Sequence, residues 1–96
     1  MRAVIIMPRA KRQLRSAELW WESHRDKAPD AFGEDIAAGW DAIAKSPSIY
    51  PWFNARRGIR RMFLERIRYD IYYRLNANDD VEVLAVWHAS RRPPHL

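Results

Sequence analysis

The sequence predicts an α+β domain in the order β-α-α-β-β-β, a helical hairpin packed on a small, mostly antiparallel sheet. Three observations predict it. Apolar residues recur at helical spacing through the first half of the chain and at two-residue spacing from residue 59 onward. Prolines at 8, 29 and 47 fall at the joints between these patterns. The polar run "NANDD" separates the last two alternating segments, as a hairpin loop does.

Taken in order, "AVIIM" (3–7) is β-branched and apolar and reads as a buried strand. Pro8 ends it and suits the first turn of a helix. Ala10, Leu14, Ala17, Trp21 and Ala28 then recur at three-, four- and seven-residue steps, with His24 in the gap. They predict one face of a helix of about five turns. On that face His24 is a packed or boundary histidine. Pro29 opens a second helix whose stripe is Phe32, Ile36, Trp40 and Ile43. Asp30, Glu34 and Asp35 stand near its positive end, Lys45 stands near its negative end, and Ser46-Pro47 stops it. Two such helices in succession form an antiparallel hairpin.

After an irregular aromatic stretch, "IRRMFL" (59–64), "YDIYYRL" (69–75) and "VEVLAVWH" (81–88) read as three strands. In the middle strand Tyr69, Ile71, Tyr73 and Leu75 face one way, and Asp70, Tyr72 and Arg74 the other. The last strand is apolar on both faces, with Val83, Ala85 and Trp87 against Leu84, Val86 and His88.

The 96 residues make one domain, 1–96, with no repeat or linker. An apolar content of 48% and five tryptophans indicate a folded protein. Cysteine is absent, which excludes disulfides and thiol chemistry and suits a reducing cytoplasm. The apolar run at the start is too short for a membrane span, so no membrane association is expected. The net charge of +5 is unevenly placed: residues 49–96 carry nine arginines and no lysine against five acids. Arginine without lysine suits bidentate contact with phosphate or carboxylate.

The histidines at 24, 88 and 95 have no ligand-like spacing, so neither a metal nor a cofactor is expected. A Ser90–His88 nucleophile lacks an orienting acid. Glu65, Asp70 and Glu82 alternate with apolar neighbours, the pattern of outward, solvated carboxylates. The arginines are more informative. Seven of them fall in residues 56–74, and Arg91 and Arg92 follow the last strand. A meander of the three strands would gather Arg60 or Arg61, Arg74 and the 91/92 pair on one basic surface, with Tyr72 adding stacking. Such a surface fits a phosphate backbone or an acidic protein segment.

These features, in this order, resemble the ParE/RelE superfamily of small toxins from bacterial toxin–antitoxin (plasmid stabilisation) systems. "MPRAKRQL", "AFGEDIAAGWDAIAKSP", "GIRRMFL", "YDIYYRL" and "VEVLAVWHASRRP" carry the resemblance over nearly the whole chain. It implies a cytoplasmic toxin that inhibits growth and is neutralised by a cognate antitoxin with an acidic or amphipathic segment. The RelE-like branch cuts messenger RNA in the ribosome with basic residues on the sheet, whereas the ParE-like branch poisons DNA gyrase. An interferase of the first kind would use Arg61, His88 and Arg91 or Arg92. A key arginine of that branch, however, falls on Asp70, where a carboxylate would repel the phosphate. The resemblance therefore favours the ParE-like branch, with Arg60, Arg61, Tyr72, Arg74, His88, Arg91 and Arg92 as target-binding residues and no catalytic centre assigned. An mRNA endonuclease is the alternative, and a basic nucleic-acid-binding module the further one.

Overall fold

The computed structural model describes residues 2–24 and 28–96. Its elements are β1 (Val4–Ile6), α1 (Pro8–His24), α2 (Ala31–Lys45), β2 (Trp52–Asn54), a 3-10 turn (Ala55–Arg57), β3 (Ile59–Leu64), β4 (Tyr69–Leu75) and β5 (Val81–His88). They form an α+β domain in which both helices pack on one face of a five-stranded sheet. The strand order is β1-β5-β4-β3-β2, with β1 parallel to β5 and every other pair antiparallel.

The three C-terminal strands have the expected bounds, because two-residue alternation and flanking turn residues define them locally. α2 begins at Ala31, with Asp30 at its N-cap and Pro29 outside. α1 ends at His24, which is exposed and stacks on Trp20 at 4.5 Å, so it is not a packed residue. Residues 25–27, which the expected first helix also spans, lie outside the described residues. Ala28 is not helical; its carbonyl accepts the Trp21 indole N–H at 2.8 Å.

One strand was not anticipated. Trp52–Asn54 follows Pro51 and pairs with the start of β3 in an irregular register. Asn54 Oδ1 then accepts the Arg57 N–H, and Gly58, at φ 69°, turns the chain into β3. Three residues are too few to show a periodicity, which is why this strand is silent in the sequence.

The main core lies between the helices and the sheet. Ala10, Ala17 and Trp21 of α1 and Phe32, Ile36 and Ile43 of α2 meet Met62, Ile71, Tyr73, Val81, Val83 and Val86. α2 sits so close to the sheet that a Cβ on Gly39 would stand 3.0 Å from Met62 Cε and 3.1 Å from Ile71 Cδ1. Tyr73 ties the chain after α2 to the sheet: its hydroxyl donates to the Pro47 carbonyl at 2.6 Å, and burial pushes its pKa up to about 12.

The opposite face carries a second, smaller cluster of Ile59, Tyr72 and Ala85, with Phe53, Leu84, Trp87 and Leu96 against it. A bulge divides β5 between the two faces. Tyr72 pairs with Ala85 and Tyr73 with Val83, leaving Leu84 unopposed. The extra residue reverses the alternation. Val83 and Val86 face the helices, while Leu84, Ala85 and Trp87 face away. The strict alternation expected for this strand therefore fails at one residue.

Candidate functional site

The open sheet face places Arg61 and Phe63 of β3 beside Asp70 and Tyr72 of β4, because Arg61 pairs with Tyr72 and Phe63 with Asp70. Arg61 stands directly across from Tyr72 and lies 5.8 Å from the Phe53 ring centre. Burial raises the Tyr72 pKa, and the neighbouring Arg61 guanidinium opposes it. The Tyr72 ring itself is only 1% exposed and packs edge-on against Phe53, so it offers no surface for stacking. Asp70 is 7% exposed and is not the solvated carboxylate expected from its alternation. Burial raises its pKa, with Arg61 and then His88 pulling it back. Its cross-strand partners on the open face are Phe63 and Trp87, and its burial is a consequence of tertiary packing that alternation alone does not report.

Arg60 is one residue away and belongs to the other side of the strand. It pairs with Tyr73, donates to the Tyr50 carbonyl at 2.7 Å and stacks 3.5 Å over Trp52. Arg74 sits at the far end of β4, bonded through Nε to Glu82 Oε1 at 3.0 Å. Arg66 is likewise taken up locally, by Glu34 and Asp35 at the start of α2.

The exit of β5 forms a separate group. His88 meets the Tyr69 ring edge-on at 5.1 Å, and its Nδ1 lies 2.6 Å from Ser90 Oγ and accepts the Ser90 N–H at 3.2 Å. The Arg91 guanidinium lies 3.9 Å over Trp87, whose indole N–H donates to the Arg92 carbonyl at 2.8 Å. Arg9 of α1 holds the tail by donating to the His95 carbonyl, and Leu96 reaches the second cluster.

The structure thus brings Arg61 together with Tyr72 and His88 together with Arg91, but not all seven residues together. Antiparallel pairing puts the exit of β5 beside Tyr69, at the opposite end of β4 from Arg74. Five residues of strand, about 17 Å, separate those ends. Arg61 and His88 also face opposite sides of the sheet, since His88 packs on Tyr69 with the helix-side cluster. Sequence reasoning passed over Arg12, Ser16 and Trp20, which with Tyr69, His88 and Arg91 line a groove beside the β5 exit. Their spacing of four residues on α1 was the available signal. Among the described residues, no group of three or more His, Cys, Asp or Glu could hold a metal ion, and no helix is long and apolar enough to cross a membrane.

A family model described as the ParE toxin of the type II toxin–antitoxin system, parDE, matches residues 4–93. The chain belongs to the ParE toxin family. Among solved structures, a chain of the chromosomal ParDE toxin–antitoxin system from P. aeruginosa is similar to it, with a TM-score of 0.64 and 13% identity. The match covers 92% of this chain and 96% of that one. At that identity the likeness establishes the shared fold: the ParE architecture of two helices on a mixed five-stranded sheet. A search of curated protein sequences returned no match. Membership in a ParE family of toxin–antitoxin systems implies a cognate antitoxin partner.

Proposed function

We propose that this ParE-family chain acts in the cytoplasm by inhibiting DNA gyrase and is neutralised by its cognate antitoxin. The observation that carries the choice of target is Asp70. It lies on the open face, diagonal to Arg61 in the β3–β4 register, at the position where the resemblance to the mRNA interferases places an arginine. An anion there opposes the build-up of negative charge on a transferring phosphate. The three residues an interferase would need, Arg61, His88 and Arg91, are also divided between two faces and one end of the sheet. Arg61 on the open face and Arg91 and Arg92 at the β5 exit remain as target-binding cations.

The test uses purified gyrase and cells in parallel. The toxin is expected to block supercoiling and to accumulate gyrase–DNA breaks, and expressing cells are expected to mount a DNA-damage response with intact transcripts. Adding the antitoxin should reverse both. Undisturbed gyrase together with transcripts cut within codons would replace this reading with the endonuclease. Steeply salt-dependent nucleic-acid binding without growth arrest would replace it with a plain binding module.

A further inference from the structure

β1 is three residues long and pairs only with Val81, Glu82 and Val83, so the remainder of β5 has no strand on that side. α1 lies along β5, and Gln13 Oε1 accepts the Val86 N–H at 2.9 Å, satisfying a donor that a longer β1 would have taken. Replacing a strand by a helix leaves a groove of about 370 Å³ between α1 and the end of β5. Its walls include Arg12, Ser16 and Trp20 of α1, Tyr69 of β4, and His88 and Arg91 at the β5 exit.

Two properties of these walls point to one ligand chemistry. The first is aromatic surface. Trp20 is 42% exposed while its ring stacks on His24, and Tyr69 and His88 meet edge-on beside it. The second is uncompensated positive charge. Arg12 and Arg91 both line the groove, and none of its lining residues is an acid. The charge of Arg91 reaches the Tyr69 hydroxyl, whose pKa burial raises and Arg91 pulls down. His88 adds a donor: with Nδ1 accepting from Ser90, the neutral ring carries its proton on Nε2. A bare phosphate would use the guanidiniums and leave the rings idle; an uncharged aromatic would do the reverse.

We propose that this groove binds a nucleoside phosphate, the base against Trp20 and Tyr69 and the phosphate at Arg12 and Arg91. The volume lies within the range of small-ligand sites, about 300–1,000 Å³. Stacking on an aromatic ring tolerates any base, and paired guanidiniums suit phosphate. The same chemistry is offered by a free nucleotide and by one nucleotide of a single strand. The groove opens beside α1 at the β5 exit, neither Arg61 nor Asp70 lines it, and its occupancy is independent of whether gyrase is the target.

The experiment is an amide NMR titration of the purified chain with ATP, adenosine, inorganic triphosphate and a short oligothymidylate. ATP is expected to shift the amides of residues 12–20 and 86–91, and to bind about tenfold more tightly than adenosine or triphosphate alone. Oligothymidylate binding the same residues more tightly than ATP assigns the base to a single strand; weaker binding assigns it to a free nucleotide. Arg91→Ala and Trp20→Ala should each weaken the preferred ligand about tenfold. Arg57→Ala, which removes an equal charge from the exposed 3-10 turn, should leave affinity unchanged. The proposal is overturned if no ligand moves these amides. It is also overturned if triphosphate matches ATP and Arg57→Ala weakens binding as much as Arg91→Ala, since that is anion attraction to a basic surface and nothing more.

Discussion

The two faces of the sheet are made from the same strands and held by different means. On the helix side, Met62, Ile71, Tyr73, Val83 and Val86 lie under two helices of 17 and 15 residues, and the cluster is continuous from β5 to β3. On the open side, Ile59, Tyr72 and Ala85 are covered by single side chains from β2, β5 and the tail. That thin cover also surrounds charges, Arg61 and the nearly buried Asp70. Hydrophobic burial scales with the apolar area removed from water, so the first face supplies most of the stability. The second face gives up burial to keep ionisable groups in a partly dry setting, where their interactions are stronger than in bulk water. The bulk of the apolar core and these partly dry ionisable groups thereby lie on opposite sides of one sheet.

The largest expected effect strikes the helix face. Tyr73→Ala removes a ring that is 1% exposed and its hydroxyl bond to Pro47. The loss should be on the order of 3–5 kcal/mol in urea unfolding, with growth inhibition lost through unfolding alone. A loss below about 1 kcal/mol would mean that the helix-side core does not carry the fold. On the open face, Leu96→Ala removes a half-buried side chain from the second cluster and should cost only about 1 kcal/mol. If Leu96→Ala matched Tyr73→Ala, the contrast between the faces would collapse.

Much of this contrast was visible in the residues before the structure. Two-residue alternation located β3, β4 and β5 with their bounds, and the assignment of Ile71 and Tyr73 against Asp70 and Tyr72 held because β4 contains no extra residue. β5 looked equally regular, yet its bulge at Leu84 moves Val86 to the helix side. A bulge is set by how two strands pair, and a single strand's pattern carries no trace of it. The grouping of arginines failed for a related reason. Strand direction alone separates Arg74 from the β5 exit, while the pairing of Arg74 with Glu82 and of Arg60 with Trp52 comes from tertiary contacts. The groove beside α1 was hidden because it depends on where β1 stops.

Asp70 offers a smaller and sign-specific test of the open face. Burial raises its pKa, so ionisation costs more in the folded protein than in the unfolded chain. The folded state then binds the proton more tightly, and stability falls as pH rises through the unfolded pKa, about 3.9, to the raised folded one. Above that window the full penalty is present. Asp70→Asn should accordingly stabilise the protein at pH 7, by less than about 1 kcal/mol, and the advantage should vanish at pH 3. Destabilisation at pH 7 would show that the pairing of Asp70 with Arg61 outweighs its desolvation. Measuring urea unfolding at both pH values separates these outcomes.

The smallest expected effect on stability is the most informative about function. Arg91 and Arg92 are exposed, and the contacts they make are a guanidinium over Trp87 and a backbone carbonyl that any residue at 92 would supply. Replacing both with alanine should therefore change stability by no more than about 0.5 kcal/mol. The same double variant should abolish growth arrest, because it deletes two of the cations left for the target once Arg60, Arg66 and Arg74 are occupied by local partners. Arg56→Ala with Arg57→Ala is the matched control, since it removes equal charge from an exposed turn outside the β5 exit. Equal loss of toxicity in both pairs would trace the effect to net charge. Unchanged toxicity in the Arg91/Arg92 pair would transfer target recognition to Arg61 and the open face, where a single Arg61→Ala variant would then have to carry the whole effect.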